Sequence, residues 1–232
     1  MAAGDTLRTF NAEPPDLPRF LPPNCRKVLG NLDGQISYKN DESNKQMKTR
    51  ILSLITLLCA AMASSQSVHA VTITVTNTND SGFFSLRQAL ADANDGDTIN
   101  FLGVSGTITL TSGELLVNKS ITISGPGANT LAVNGNAASR VFHIASGKTV
   151  TISDLTVTNG NSANGGGGIY NDHATLTVSN TTLSGNSTTG TGGGIYNNGS
   201  SPGSAALTVT NSTLSGNSAF GGGGGIYNNG NG

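Results

Sequence analysis

The chain has 232 residues, with 12 lysines and arginines against 13 aspartates and glutamates, 32 glycines and no tryptophan. Beyond residue 70, four basic and seven acidic residues give a formal charge of −3. No cluster of basic residues is present, which excludes a nucleic-acid-binding protein.

Residues 47–70 have the parts of a secretory signal peptide: a positively charged start, an apolar run over 51–63, and small residues before a cleavage point. Val68 and Ala70 occupy the third and first positions before that point, so Val71 is predicted to begin the mature chain. The apolar run is shorter than the ~20 residues of a membrane span, and we expect no transmembrane span in this chain. A buried helix is the alternative.

Residues 1–46 hold five of the seven prolines and show no sustained apolar period. We interpret them as the product of a misplaced gene start, with a disordered leader as the alternative. Both cysteines, Cys25 and Cys59, precede the predicted cleavage point. We therefore expect no disulfide in the mature domain, although an exporting compartment would permit one.

The segment FSLRQALADANDGDTINF, residues 84–101, predicts a short amphipathic helix followed by a strand. Ser85 with Gln88 three residues later forms a capping-box motif. The apolar stripe of this helix consists of Leu86, Ala89, Leu90 and Ala93. A helix ahead of the first coil would cover the end of a solenoid core. We therefore assign residues 71–105 to an N-terminal cap containing this helix and the first strands.

The remainder of the chain repeats itself. TLTVSNTTLSGNS at 175–187 returns as a near-copy 31 residues later, and GGGGIYN at 165–171 returns twice, after 26 and a further 31 residues. Self-similarity at such a period is typical of solenoid proteins. We assign residues 106–232 to stacked β-coils, and because the chain stops inside a repeat we expect the array to be truncated.

Within each unit, aliphatic and polar residues alternate: Leu176 and Val178 lie on one face, and Thr175, Thr177 and Ser179 on the other. This predicts half-buried strands, three to a unit. The few aliphatic side chains of one unit cannot offset the entropy of ordering it, so the units must stack with parallel strand pairing. For the last third of the chain, a disordered low-complexity tail is the alternative.

Stacking in register would place equivalent side chains of successive coils above one another. We expect the glycines to allow tight corners and positive φ, the isoleucine to point into the core, the tyrosine to point outward, and the asparagine to lie at the next corner. The predicted columns are an isoleucine ladder of Ile169, Ile195 and Ile226, a tyrosine stack of Tyr170, Tyr196 and Tyr227, an amide ladder of Asn171, Asn197 and Asn228, and a second ladder of Asn186 and Asn217.

The motif GNSAFGGGGGIYN resembles the paired repeats of polymorphic outer membrane proteins, and FSLRQALADANDGDTINF is similar to the CSLREA segment that opens many large bacterial right-handed parallel β-helix proteins. Together the resemblance covers roughly residues 71–232. Phe84 replaces the cysteine and Gln88 the glutamate, so any role of that cysteine is absent. The resemblance implies an all-β, right-handed parallel β-helix of the pectin-lyase type on a secreted or outer-membrane protein.

Right-handed β-helices also include pectate lyases and other polysaccharide-cleaving enzymes. A carbohydrate-active enzyme whose catalytic coils lie beyond this sequence is therefore the alternative function. The repeated coils carry little charge, and the pairs Asp172–His173 and Arg140–His143 come nearest to a catalytic arrangement. We expect a turn-capping aspartate and a solvated histidine in the first pair, and two solvent-facing side chains in the second.

Four aspartates cluster near the cap: Asp80, Asp92, Asp95 and Asp97. Their NDGD stretch superficially resembles a calcium loop but lacks the EF-hand spacing and terminal glutamate. We expect turn and helix-end roles for them and no cofactor, with calcium as the alternative.

These observations predict a secreted or cell-surface bacterial β-helix, adhesin-like by resemblance, that binds a carbohydrate or a protein and is a monomer. The expected contact surface is an outer face with the tyrosine stack, threonine rows and the loop around Pro202, because insertions in solenoids collect on one face. A mechanical role as a surface spacer is a third alternative.

Overall fold

In the computed structural model, the described part of the chain is residues 69–230, together with Arg50 and Ser53. The predicted leader and nearly all of the predicted signal peptide, including both cysteines, lie outside it. Residues 69–230 belong to one compact unit.

Short parallel strands dominate residues 69–230, and a single helix, α1, interrupts them near the start. The elements are β1 Thr72–Val75, α1 Leu86–Asp92, β2 Thr98–Phe101, β3 Gly106–Thr109, β4 Leu115–Val117, β5 Thr122–Ser124, β6 Leu131–Asn134, β7 Phe142–Ile144, β8 Thr149–Ser153, β9 Thr156–Thr158, β10 Asn161–Ser162, β11 Ile169–Asp172, β12 Thr175–Ser179, β13 Thr182–Ser184, β14 Ser187–Thr188, β15 Ile195–Gly199, β16 Ala206–Thr210, β17 Thr213–Ser215, β18 Ser218–Ala219 and β19 Ile226–Gly230.

The strands form four parallel sheets: sheets A, B and C take one strand from each complete coil, and sheet D takes one from each of the last three described coils. Sheet A runs β1-β2-β5-β8-β12-β16, sheet B β3-β6-β9-β13-β17, sheet C β4-β7-β11-β15-β19, and sheet D β10-β14-β18. About five turns are stacked in this way, and the predicted all-β, right-handed parallel β-helix is confirmed. The first two complete coils have three strands, and the next three have a fourth, two-residue strand from sheet D.

The core is a continuous column of aliphatic side chains because equivalent strands pair without slippage. Leu176 is in register with Val150 below and Leu207 above. The first two of these side chains are essentially inaccessible to solvent. In the last described coil, Leu207 is only partly buried and Ile226 is 39% exposed, because no further described coil covers them.

Helix α1 closes the other end of the core. Its Leu86, Ala89 and Leu90 side chains are buried, and the helix contacts β1, β2 and β4. Ser85 Oγ accepts a hydrogen bond from Gln88 N at 3.2 Å, but the Gln88 side chain donates to Asp92 at the exposed surface and does not return to the cap. Because β1 and β2 already pair within sheet A, stacking begins inside the segment assigned to the cap.

The glycine runs are required for two different physical reasons. Gly166 and Gly192 have φ of +61° and +69°, in the left-handed region that side chains disfavour. Gly167 stands where coils approach closely, and a Cβ there would meet the Ser187 carbonyl oxygen at 2.2 Å. The isoleucine that follows, Ile169, is fully buried.

Candidate binding face

The tyrosine stack lies on the outer surface of sheet C. Tyr170, Tyr196 and Tyr227 are paired in register, and each is partly exposed. The ring centroids of Tyr170 and Tyr196 are 5.2 Å apart with planes 10° from parallel, and those of Tyr196 and Tyr227 are 5.6 Å apart at 8°. The column continues downward to His143, whose ring meets Tyr170 edge-on at 5.2 Å.

This geometry determines which parts of the rings a ligand could reach. Each ring in the middle of the column has a neighbouring ring against both faces, so its faces are occupied and its edge is directed outward. A sugar ring therefore has no free face of Tyr170 or Tyr196 on which to stack. What the column presents is a series of ring edges and phenol oxygens, one from each coil.

A second outward row runs beside the tyrosines, formed by Asp172, Asn198 and Asn229 in register. Asn198 Nδ2 donates to the Tyr170 hydroxyl at 2.9 Å, and Asn229 Nδ2 donates to the Tyr196 hydroxyl at 2.8 Å. Each amide thus reaches back one coil to hold a phenol oxygen. We call the surface formed by these six residues the tyrosine face.

Sequence reasoning missed the outward asparagines. Their signal is the second asparagine of IYNN, which by strand alternation lies on the same face as the tyrosine. The first asparagine was predicted at a corner, and that prediction is wrong. Asn171 and Asn197 lie within β11 and β15 with their side chains buried, because both strands continue past them.

The buried asparagines form ladders inside the coils. Asn171 Nδ2 donates to Asn197 Oδ1 at 2.6 Å, and Asn197 Nδ2 donates to Asn228 Oδ1 at 2.7 Å. In the second ladder, Asn186 Nδ2 donates to Asn217 Oδ1 at 3.0 Å. Asn171, Asn186 and Asn197 are buried and support the coils from within, whereas Asn217 is partly buried and Asn228 is exposed in the last described coil.

A charged cluster lies at the foot of the tyrosine column. Glu114 Oε2 is 2.7 Å from Arg140 Nη1, and Glu114 Oε1 is 3.0 Å from His143 Nδ1. The Arg140 guanidinium also lies 4.7 Å from the centroid of the Tyr170 ring. The hydrogen bond from His143, together with the positive charge of Arg140, lowers the pKa of the Glu114 carboxyl despite its partial burial.

The expectation that Arg140 faces solvent is wrong. Its side chain is only 11% exposed, because it donates to the carbonyl oxygens of Gly165 and Gly166 and to Ser162 Oγ as well as to Glu114. The glycine corner of the next coil therefore closes over the guanidinium. His143 is 26% exposed at its side chain.

His173 is also more enclosed than a solvated histidine. Its Nδ1 lies close to Asp172 Oδ1, and its Nε2 is 2.9 Å from the Ser200 carbonyl oxygen. The Ser200 carbonyl and the Asp172 carboxylate both accept from the ring and raise the pKa of His173. This histidine holds the exposed loop around Pro202 against the coil below, so its contacts are structural.

The four clustered aspartates have separate partners. Asp80 pairs with Arg87 at 2.7 Å and accepts from Thr111 and Ser112, which joins the cap to the turn before β4. Partial burial opposes ionisation of Asp80, but these hydrogen bonds outweigh it and hold its pKa well below the usual range. The other carboxylates accept from Gln88 (Asp92), Ser120 (Asp95), and Val71 and Asn94 (Asp97).

Within residues 69–230, no group of three or more histidine, cysteine, aspartate or glutamate side chains is placed to hold a metal ion. In the same part of the chain, no helix is long and apolar enough to cross a membrane.

Comparison of the chain with protein-family models, curated proteins and solved structures finds no match.

Proposed function

We propose that this protein is a secreted or cell-surface β-helix whose tyrosine face binds a carbohydrate, in an adhesive role. The observation that carries the proposal is the repetition of one polar pair, a phenol oxygen with an asparagine amide, at the same place in successive coils. The spacing between equivalent groups is that of parallel strands, about 4.8 Å.

The chemistry of the tyrosine face favours a polyhydroxylated ligand over a flat apolar one. The phenol oxygens of Tyr170 and Tyr196 accept a hydrogen bond from asparagine, which leaves their own O–H groups free to donate outward. The Asp172 carboxylate adds acceptors, whereas Asn198 is only 8% exposed and its amide oxygen accepts from Asn229. A regular array of donors and acceptors on an open sheet suits a polymer with repeating hydroxyl groups, whereas a protein partner would more often require an apolar centre.

The binding test removes the hydroxyls and keeps the rings. In the exported protein, Tyr170→Phe, Tyr196→Phe and Tyr227→Phe are combined, and binding to a panel of immobilised glycans and to bacterial and host cells is measured. We expect affinity to fall by roughly tenfold or more, since three hydrogen bonds of about 1 kcal/mol each are lost.

The matched control lies on sheet A, where Thr151, Thr177 and Thr208 form an outward row in register. Replacement of all three by valine removes the same number of hydroxyls from another face and should leave binding unchanged. Equal losses in both triple variants, or binding of the wild type to proteins and to no glycan, would contradict the proposal.

The alternative of a polysaccharide-cleaving enzyme stays a prediction about sequence outside this chain. Among the described residues, the nearest arrangement to a catalytic one is Glu114 with Arg140 and His143. Both oxygens of that carboxylate already have partners, and the guanidinium is enclosed by backbone carbonyls. This geometry fits a clamp between coils.

A further inference from the structure

Asp97 is a buried carboxylate whose hydrogen bonds come from two backbone amides. The residue is 2% exposed and directly precedes β2. Its Oδ2 accepts from Asn94 N at 2.8 Å, and its Oδ1 accepts from Val71 N at 2.8 Å. Within residues 69–230, no lysine, arginine or histidine forms an ion pair with it. The hydrogen bonds from the backbone of Asn94 and Val71 outweigh the effect of burial and lower the pKa of the Asp97 carboxyl, so the group is ionised and a positive charge beside it would be favourable.

The partner of this carboxylate is the residue that the sequence predicts as the first of the mature chain. Val71 and the preceding Ala70 are both exposed, so the bond between them is accessible. Val71 N points to Asp97, and Val71 O accepts from Thr98 N at 2.9 Å. Strand β1 begins one residue later, at Thr72.

We propose that Asp97 is the receptor for a new amino terminus at Val71, produced when a peptidase hydrolyses the Ala70–Val71 bond. Water adds across the peptide bond: Ala70 leaves with the carboxylate, and Val71 keeps the nitrogen, which takes up a proton to become an ammonium group. The nitrogen already lies within hydrogen-bond distance of Oδ1, so the new positive charge arises beside the buried negative one.

The consequence is that export and completion of the fold are coupled. In the precursor, Val71 offers Asp97 only a neutral amide; in the processed protein the pair is ionic and charge-assisted. The pair joins β1, the first strand of sheet A, to the turn before β2. This proposal rests on the predicted signal peptide and is independent of ligand binding at the tyrosine face.

The first experiment determines the cleaved bond. The full chain is expressed with export in a bacterial host, and the amino terminus of the exported product is sequenced. Val71 is expected as its first residue. Cleavage at any other bond overturns the proposal, whatever the outcome of the glycan-binding measurements.

The second experiment measures protection of the new amine in that processed protein. Acetylation of the Val71 α-amine is followed by mass spectrometry in the folded state and in urea. We expect the folded state to react roughly tenfold or more slowly, because a paired ammonium is held in its unreactive form. Equal rates in the two states would overturn the proposal even if no variant could be made.

Two variants then assign the protection to Asp97. Asp97→Asn should bring the acetylation rate of the folded protein close to that in urea. Asp95→Asn is the matched control two residues away, because the Asp95 carboxylate is exposed and pairs with Ser120 N and Lys148. It should leave the protection intact, and loss of protection in both variants would contradict the assignment.

Discussion

At the residue scale, asparagine suits a buried column because one amide both donates and accepts. A hydrophobic side chain at Asn197 would remove both amide–amide hydrogen bonds, whereas the amide links Asn171 below to Asn228 above. The ladder begins at Asn171, because the residue in register with it in the preceding coil, Ile144, has no polar side chain. Asn171 Oδ1 therefore has no hydrogen-bond partner among the described residues. The polar column is thus an addition to the coils from β11 onward.

Removal of the middle amide tests this role. Asn197→Ala removes two side-chain hydrogen bonds of the ladder, at about 0.5–1.5 kcal/mol each, and we expect it to reduce the free energy of unfolding by about 1–3 kcal/mol. Urea denaturation of the exported protein measures the loss. Thr177→Ala, on the outward surface of sheet A, is the control and should change the stability little; similar losses in both variants would argue against the ladder.

Glu114 makes a pH-dependent contribution at the same scale. Its pKa is lowered below the ordinary 4.5 in the folded state, chiefly by His143 and also by Arg140. A carboxyl whose pKa is lowered by folding stabilises the folded state at pH values above its ordinary pKa. This contribution is lost as the pH falls through the folded-state pKa.

We therefore expect Glu114→Gln to be less stable than the wild type at pH 7, with the two converging as the pH falls below about 4. Thermal unfolding across that pH range provides the measurement. Asp92→Asn, on the exposed side of α1, is the control. A difference between the wild type and Glu114→Gln that is constant with pH would show that the variant acts through packing.

At the element scale, the glycine corners set how closely coils approach. Gly168 precedes β11, and a Cβ there would lie 2.6 Å from the Gly194 carbonyl oxygen and 3.1 Å from Asn186 Cγ. Gly225 holds the same register position before β19, where the nearest atom is Leu214 Cδ2 at 3.7 Å. The same residue type is thus required at one coil and replaceable at another.

Gly168→Ala should lower the stability by about 2 kcal/mol or more, because backbone atoms must move to accept the methyl group. Gly225→Ala should stay within about 0.5 kcal/mol of the wild type. Circular dichroism during urea unfolding would measure both, and an equal effect of the two substitutions would refute the close-approach explanation.

At the scale of the whole molecule, stability follows from stacking in one dimension, since each coil contacts its neighbours along the axis. Leu183 of β13 and Leu214 of β17 are paired in register but differ in how far neighbouring coils bury them. Leu183 is fully buried between coils, whereas Leu214 is only partly buried in the last described coil.

Leu183→Ala should therefore cost about 2–5 kcal/mol, the usual range for a leucine lost from a closed core. Leu214→Ala should cost clearly less, because the site is partly hydrated before the substitution. Chemical denaturation of the two variants compares identical chemistry at two depths of the stack, and equal losses would contradict the dependence on neighbouring coils.

The repeat made the coil order and register predictable. Copies of the same letters at fixed steps identify Ile169, Ile195 and Ile226 as equivalent, and alternation within a strand assigns the isoleucine inward and the tyrosine outward. The same alternation assigns the first asparagine of IYNN inward and the second outward. Because the repeat does not show where the strand ends, the first asparagine was predicted at a corner.

The sequence by itself determined that short strands must stack as a β-helix, because the alternating pattern and the period are local properties of the chain. Only the tertiary structure decided how the outer side chains are used, because their partners come from neighbouring coils 22 to 28 residues away in sequence, as for Arg140 and Asn198. Enclosure of the Arg140 guanidinium and occupation of the tyrosine ring faces both arise from such contacts between coils, which the spacing of residues within one repeat does not reveal.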